Sequence, residues 1–291
     1  MYIQRFDPWK SKLCTCPEKY SLNPYTGCGH RCLYCYATAF IKNFYSPRPK
    51  KDFIKKVKSE LQKIPPGSLI SLSNSSDPYQ PLEKTYFHTR NFLELLESKN
   101  FKLLIITKSD LVLRDLLILK TLNCVVSITI TTKKYFRILE PGAPSYEKRL
   151  YTIKTLSKAG ILVTARIDPV IPFLNDEEVI KIFEEVAPWV KHITTSTYKA
   201  KRDSFARLKK AFPEKAKLWQ ELYFVKGKKI EGTWYLPEDL RKELLYPLFE
   251  KAKEFGISIA ACREGIKEFS AKEKCDGSFL INEFLFNELK E

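Results

Sequence analysis

The sequence predicts an α/β fold, a partial (β/α)6 TIM-type barrel with N- and C-terminal extensions. Two observations carry this. Six short runs of β-branched and aliphatic residues recur along the chain, each bounded by turn-forming residues, as buried parallel strands are. Between them lie segments whose apolar residues return every three or four positions, the period of an amphipathic helix. Repeated βα units join into a parallel sheet through right-handed crossovers, and about six of them curl it into part of a barrel.

The elements follow in order. Helix 52–64 sets Phe53, Val57 and Leu61 four apart on one face and leads to strand 68–73. Helix 88–99 precedes strand 101–107, and helix 110–122 precedes strand 124–130. Helix 145–159 places Leu150, Ile153 and Leu156 on one side, stops at Gly160 and enters strand 161–167. Helix 176–187 leads to strand 190–197. Helix 238–255 starts after Pro237, is expected to kink at Pro247, stops at Gly256 and leads to strand 257–261. Barrels of this kind keep their reactive groups at the C-terminal ends of the strands. That rule selects 74–77, 107–110, Ser127, Thr129, Arg166, Asp168 and 195–198. The expected organisation is an N-terminal extension over 1–19, a barrel over 20–200 and a C-terminal region over 201–291 packed on the barrel.

Cys28, Cys32 and Cys35 stand in a C-x3-C-x2-C run. Three thiolates on one loop can hold three corners of a 4Fe–4S cube, and cysteine is the usual ligand for such clusters. A cluster that only carries electrons takes four protein ligands. Three leave one iron open, and an open coordination position is where chemistry happens. The rival readings are a structural zinc site, for which His30 inside the loop offers a fourth ligand, and disulfides of a secreted scaffold. Residues 1–12 are polar and charged and show no secretory signal. A cytoplasmic chain with reduced thiols is therefore expected.

The chain has 291 residues, 44% of them hydrophobic, with no apolar run long enough to span a bilayer, so no membrane partner is expected. Its net charge is +16, from 50 Lys and Arg against 34 Asp and Glu. Such a balance favours a polyanionic partner, DNA or RNA. The competing explanation is the lysine-rich surface of a thermophile. Basic residues cluster at Lys199, Lys201, Arg202, Arg207, Lys209 and Lys210, and again at Lys226, Lys228 and Lys229.

Several segments together resemble the spore photoproduct lyase-like branch of the radical S-adenosylmethionine (SAM) superfamily, also described as DNA repair photolyase-like. They are Asn23-Pro24-Tyr25-Thr26-Gly27-Cys28 with the following cysteines, Asp77-Pro78-Tyr79-Gln80-Pro81-Leu82-Glu83, and Thr107-Lys108-Ser109 with Arg114-Asp115. Glu140-Pro141 before Arg149-Leu150, Asp168-Pro169-Val170-Ile171-Pro172 and Cys262-Arg263-Glu264-Gly265 complete them. The resemblance implies a barrel of the radical SAM type in which Cys28, Cys32 and Cys35 hold a 4Fe–4S cluster and its open iron binds the amino and carboxylate groups of SAM. One electron then splits the sulfonium to a 5′-deoxyadenosyl radical, which abstracts hydrogen from a substrate. It also implies SAM-contacting roles. Tyr34 resembles the aromatic against adenine, and Ser76 and Asp77 a pair accepting from the SAM ammonium. Lys108 resembles the lysine that meets the SAM carboxylate, and Ser127 a supporting serine. Arg166 serves either SAM or an anionic substrate. Spore photoproduct lyase uses a cysteine as hydrogen donor three residues before that aspartate. Asn74 stands there in this chain, so its route of thymine-dimer repair is not implied.

Cys14, Cys16, Cys262 and Cys275 lie near the two chain ends. If these ends meet beside the barrel, the four can hold a second Fe–S cluster or a zinc ion; otherwise they are unrelated thiols. Cys124, within a strand, reads as a buried cysteine. The expected function is radical SAM catalysis on an unidentified substrate, DNA or RNA foremost, with an electron donor such as ferredoxin or flavodoxin. The same chemistry on a protein or small molecule, and a non-catalytic metal-stabilised nucleic-acid-binding module, are the alternatives.

Overall fold

A computed structural model describes residues 1–6, 11–72, 74–269 and 275–281. Ser73, the last residue of the first expected strand, and parts of both extensions (7–10, 270–274, 282–291) lie outside the described residues. The strands are β1 (Ile3–Arg5), β2 (Tyr20–Leu22), β3 (Tyr25–Thr26), β4 (Arg48–Pro49), β5 (Leu69–Leu72), β6 (Lys102–Thr107), β7 (Cys124–Thr129), β8 (Leu162–Val170), β9 (His192–Thr197), β10 (Lys228–Ile230), β11 (Thr233–Tyr235) and β12 (Ser258–Ala261). Eight of them form one sheet in the order β1-β2-β5-β6-β7-β8-β9-β12. All neighbours in it run parallel except β1 and β2. This is the partial barrel expected, with β2 added directly before the cysteine loop and β1 closing that edge. Both were too short and too polar to stand out in the sequence.

Period-two alternation divides the strand residues between two apolar layers. Ile105, Val126, Val163 and Ile193 face outward into a core completed by Val57, Phe92, Ile153 and Phe183 of the surrounding helices. Leu104 and Val125 face the barrel interior, where Ile281 packs against them. Full burial of such a side chain stabilises the fold by about 1.5–3 kcal/mol. The helix Tyr146–Lys158 begins at Ser145, whose hydroxyl accepts from Lys148 N, and stops before Gly160 at φ +83°. The helix Glu238–Phe255 runs through Pro247 and ends at Gly256. A second core of Leu139, Phe205, Leu208, Trp219, Tyr223 and Leu236 joins the segment after β9 to the underside of the cysteine loop, where Leu33 and Tyr34 pack on it. β8 reaches Val170, beyond the expected end at 167, so Arg166 lies within the strand rather than at its end. Among the described residues no helix is long and apolar enough to cross a membrane.

Candidate active site

The C-terminal ends of the parallel strands surround a cavity of about 750 Å³. Seven of the eight cysteines line it, all but Cys124. The loop carrying Cys28, Cys32 and Cys35 leaves β2 and is held by its backbone. Cys28 N donates to Phe44 O at 2.9 Å, and Leu33 N donates to Leu139 O at 2.8 Å. Gln80 spans the loop, accepting from Gly29 N and donating to Gly27 O, both at 2.9 Å. Gly142 N donates to His30 O at 3.0 Å. A Cβ on Gly142 would meet Gly29 O at 2.1 Å, so only glycine permits this approach. Tyr45 OH donates to Cys32 O at 2.7 Å. Arg207 donates to Leu33 O at 3.0 Å and to Cys35 O at 3.1 Å.

This cradle fixes the loop without using the sulfurs, which leaves three thiols for a metal body. Burial pushes the Cys28 thiol up to about 12 and raises those of Cys32 and Cys35. Buried thiols ionise only with a positive body between them, and irons supply one. Among the described residues no three His, Cys, Asp or Glu side chains surround a single-ion position. His30 Nδ1 faces Asp77 Oδ2 at 3.3 Å. The donor set therefore fits a cluster wider than one ion better than the closed zinc site considered above.

The other expected site residues divide. Tyr34, Ser76, Asp77, Lys108 and Arg166 line the cavity, and Ser127 does not. Ser127 is buried in mid-strand with no hydrogen-bond partner for its Oγ among the described residues. It lies on the side of β7 that carries Val125, toward the barrel interior. Asp77 is engaged within the protein. Oδ1 accepts from Thr107 Oγ1 at 2.7 Å and Tyr79 N at 2.9 Å, and Oδ2 accepts from Lys108 N at 2.8 Å and faces His30. A carboxylate has about four acceptor sites, so partners within the protein occupy most of those of Asp77, one of them the Lys108 backbone N–H. Ser76 Oγ donates to Tyr25 O at 3.1 Å, which leaves its lone pairs toward the cavity. Lys108 Nζ stands 3.8 Å from Glu140 Oε1 and 5.7 Å from the Tyr34 ring centroid. The Tyr34 hydroxyl binds Glu140 and lies 3.2 Å from Thr131 Oγ1. Burial would raise the Glu140 carboxyl, but Arg149 at 2.5 Å and then Lys108 outweigh it and hold it below the usual range. Arg166 Nη2 pairs with Asp168 Oδ2 at 3.1 Å on the side of Cys262 and Cys275. Asn74 Nδ2 donates to Ser21 Oγ at 2.6 Å.

Sequence reasoning assigned no role to Asn23, Gln80, Glu140 or Arg207. Asn23 Oδ1 accepts from the backbone N–H groups of residues 74, 75 and 76, at 3.1, 3.0 and 3.2 Å, and so shapes the turn that carries Ser76 and Asp77. Arg207 had been counted with a basic surface. It is instead a clasp on the loop, and Lys199 of the same cluster is paired with Glu264 at 2.8 Å. Only pairing in three dimensions distinguishes such cations from solvated ones.

A parallel part-barrel with a three-cysteine loop at its reactive end defines a class of cluster-bearing enzymes, and comparison with known proteins agrees. The Radical SAM superfamily profile matches residues 22–186, and the chain belongs to that family. It is a radical SAM enzyme whose fold resembles that of spore photoproduct lyase. An uncharacterized protein of Methanocaldococcus jannaschii is 36% identical over 205 residues, covering 67% of this chain and 77% of the relative. A radical SAM Nalpha-GlyT isomerase of Pseudomonas phage M6 is 22% identical over 255 residues, covering 83% and 53%. A spore photoproduct lyase variant with a dinucleoside spore photoproduct superposes with a TM-score of 0.66 at 16% identity, covering 83% of this chain and 75% of that one.

Proposed function

We propose that Cys28, Cys32 and Cys35 hold a 4Fe–4S cluster, that SAM occupies the adjoining cavity, and that the substrate is a nucleic acid. When bound, the cluster supplies an electron that splits the SAM sulfonium to a 5′-deoxyadenosyl radical, which abstracts hydrogen from the substrate. Lys108 meets the SAM carboxylate, its backbone fixed by Asp77. Ser76 Oγ, its proton committed to Tyr25 O, accepts from the SAM ammonium. The Tyr34 ring, anchored through its hydroxyl by Glu140, backs the adenine.

The observation that carries the substrate class is the cavity's composition. Eight Lys and Arg line it against four Asp and Glu. Two aromatic rings on its wall, Tyr36 and Phe40, are 42% and 49% exposed, with Lys201 Nζ 5.0 Å from the Phe40 centroid. Cations for phosphates beside exposed rings for stacking make the usual platform for single-stranded nucleic acid. The dinucleoside held by the superposed lyase supports the same class. Anaerobically reconstituted protein with a strong reductant should release 5′-deoxyadenosine from SAM, faster when oligonucleotides are added. A joint Cys28→Ala, Cys32→Ala, Cys35→Ala variant that still cleaves SAM would overturn the cluster assignment. SAM cleavage that no oligonucleotide stimulates or binds would return the substrate to a protein or small molecule.

A further inference from the structure

Two irregular segments about 250 positions apart in sequence meet at the cavity wall opposite the three-cysteine loop. Residues 11–19 contribute Cys14 and Cys16, while residues 262–269 and 275–278 contribute Cys262 and Cys275. Their junction is built, not incidental. Lys19 and Asp276 form an ion pair with side chains 2% and 3% exposed. Arg263 Nη2 donates to Ser11 Oγ at 3.2 Å. A Cβ on Gly265, at φ +69°, would meet Leu13 Cδ2 at 2.8 Å. The second segment is tied to the sheet through Cys262 N to Thr195 O at 2.8 Å and Thr194 Oγ1 to Cys275 O at 2.9 Å.

The sulfurs come together at this junction. Cys16 Sγ is 3.3 Å from Cys275 Sγ, and Cys14 lines the same cavity. Cys262 lines the cavity with them. Cations surround the group. Lys19, Arg166 and Lys199 line the same cavity as these cysteines. Four thiolates around a doubly charged metal body carry a net charge of about −2, which buried cations offset.

We propose that Cys14, Cys16, Cys262 and Cys275 ligate a second, four-thiolate metal centre on the wall of the cavity that faces the three-cysteine loop. A tetrahedral zinc ion with bonds of about 2.3 Å holds sulfurs about 3.8 Å apart, and an iron–sulfur cube holds them farther apart. Among the described residues these sulfurs do not surround a single-ion position, so either metal body requires the 3.3 Å Cys16–Cys275 contact to part and the sulfurs to rearrange around it. The shared chemistry is thiolate ligation, and metal analysis separates the two sources. This inference does not depend on what the first loop binds.

The test is metal and sulfide analysis of anaerobically purified protein. The joint Cys28→Ala, Cys32→Ala, Cys35→Ala variant should retain either iron with equimolar sulfide or one zinc per chain. In the otherwise unaltered protein, joint Cys16→Ser and Cys275→Ser substitution should remove that same increment and leave the remaining iron in place, so a triple variant that fails to fold does not block the test. The proposal fails if the double variant holds as much metal as the parent. It also fails if mass spectrometry of the parent, kept under reducing conditions, finds a Cys16–Cys275 disulfide.

Discussion

Replacing Gly142 by alanine tests how the cysteine loop is held. The new Cβ would lie 2.1 Å from Gly29 O, 3.0 Å from His30 Cα and 3.1 Å from Gly29 C. All three are backbone atoms, so no side chain can swing aside. The loop and the turn after Glu140 must separate by about an ångström, which takes the 3.0 Å hydrogen bond from Gly142 N to His30 O beyond bonding range. Overpacking costs about 1–3 kcal/mol and the lost bond about 1 kcal/mol, together about 2–4 kcal/mol. For a chain of this size the melting midpoint should fall by roughly 3–7 °C. Because the strain falls between Cys28 and Cys32, iron content after reconstitution should fall with it. Gly67→Ala is the control. Gly67 has φ +77° with nothing within 4 Å of an added Cβ. It should cost about 1 kcal/mol of backbone strain and leave iron loading unchanged. A Gly142→Ala protein that melts with the parent and takes up iron fully would refute the proposed clamp.

Other consequences are open to measurement. Lys108→Ala should weaken SAM binding by about 1.5–3 kcal/mol, the range for a hydrogen bond to a charged group, with iron content unchanged; equal affinity in anaerobic equilibrium dialysis would remove Lys108 from the site. Glu140→Gln should destabilise by about 3 kcal/mol, since it leaves Arg149 buried without its counter-charge. Glu140 has its folded pKa depressed, so its contribution is present above pH 4.5 and lost as pH falls toward about 2. Parent and variant unfolding energies should therefore converge in acid, and a gap independent of pH would contradict this. Oligonucleotide affinity should fall with salt at a slope near −2 in log–log form, each phosphate contact contributing about −0.7 to −0.9. A slope of about −6 would mean that the paired cations of the cavity also meet phosphate.

The sheet was legible because its strands are apolar runs of the right length, and the helices because their apolar faces keep period. What escaped was short or used for contact. β2, Tyr20–Leu22, has three residues and only Leu22 fully buried, yet it launches the cysteine loop. The helix Arg202–Ala211 went unseen as an element because its charges dominate its composition, although Phe205 and Leu208 are buried. The cysteine loop was legible from spacing, since ligands on one loop are neighbours in sequence too. Asp77 was found, but the direction of its lone pairs was not, because Thr107, Tyr79, Lys108 and His30 reach it from separate stretches of chain.

Net charge proved a coarse guide for the same reason. Lys19, Arg166 and Lys199 line the cavity, but Asp276, Asp168 and Glu264 pair with them. Such doublets present hydrogen bonds and little net field to an approaching phosphate. Arg31 and Lys201, also on the cavity wall, have no acidic side chain within 4 Å among the described residues. Lys201 stands over Phe40, and Arg31 lies within the cysteine loop itself, at φ +55°. Attraction to a polyanion is therefore concentrated where an extruded base would meet the exposed rings and, beyond them, the open side of the loop. Clefts with low-dielectric walls focus the field of the charges they leave unpaired. If the proposed nucleic-acid substrate is right, these two cations would orient it better than the lysines of the outer helices, several of which pair with glutamates.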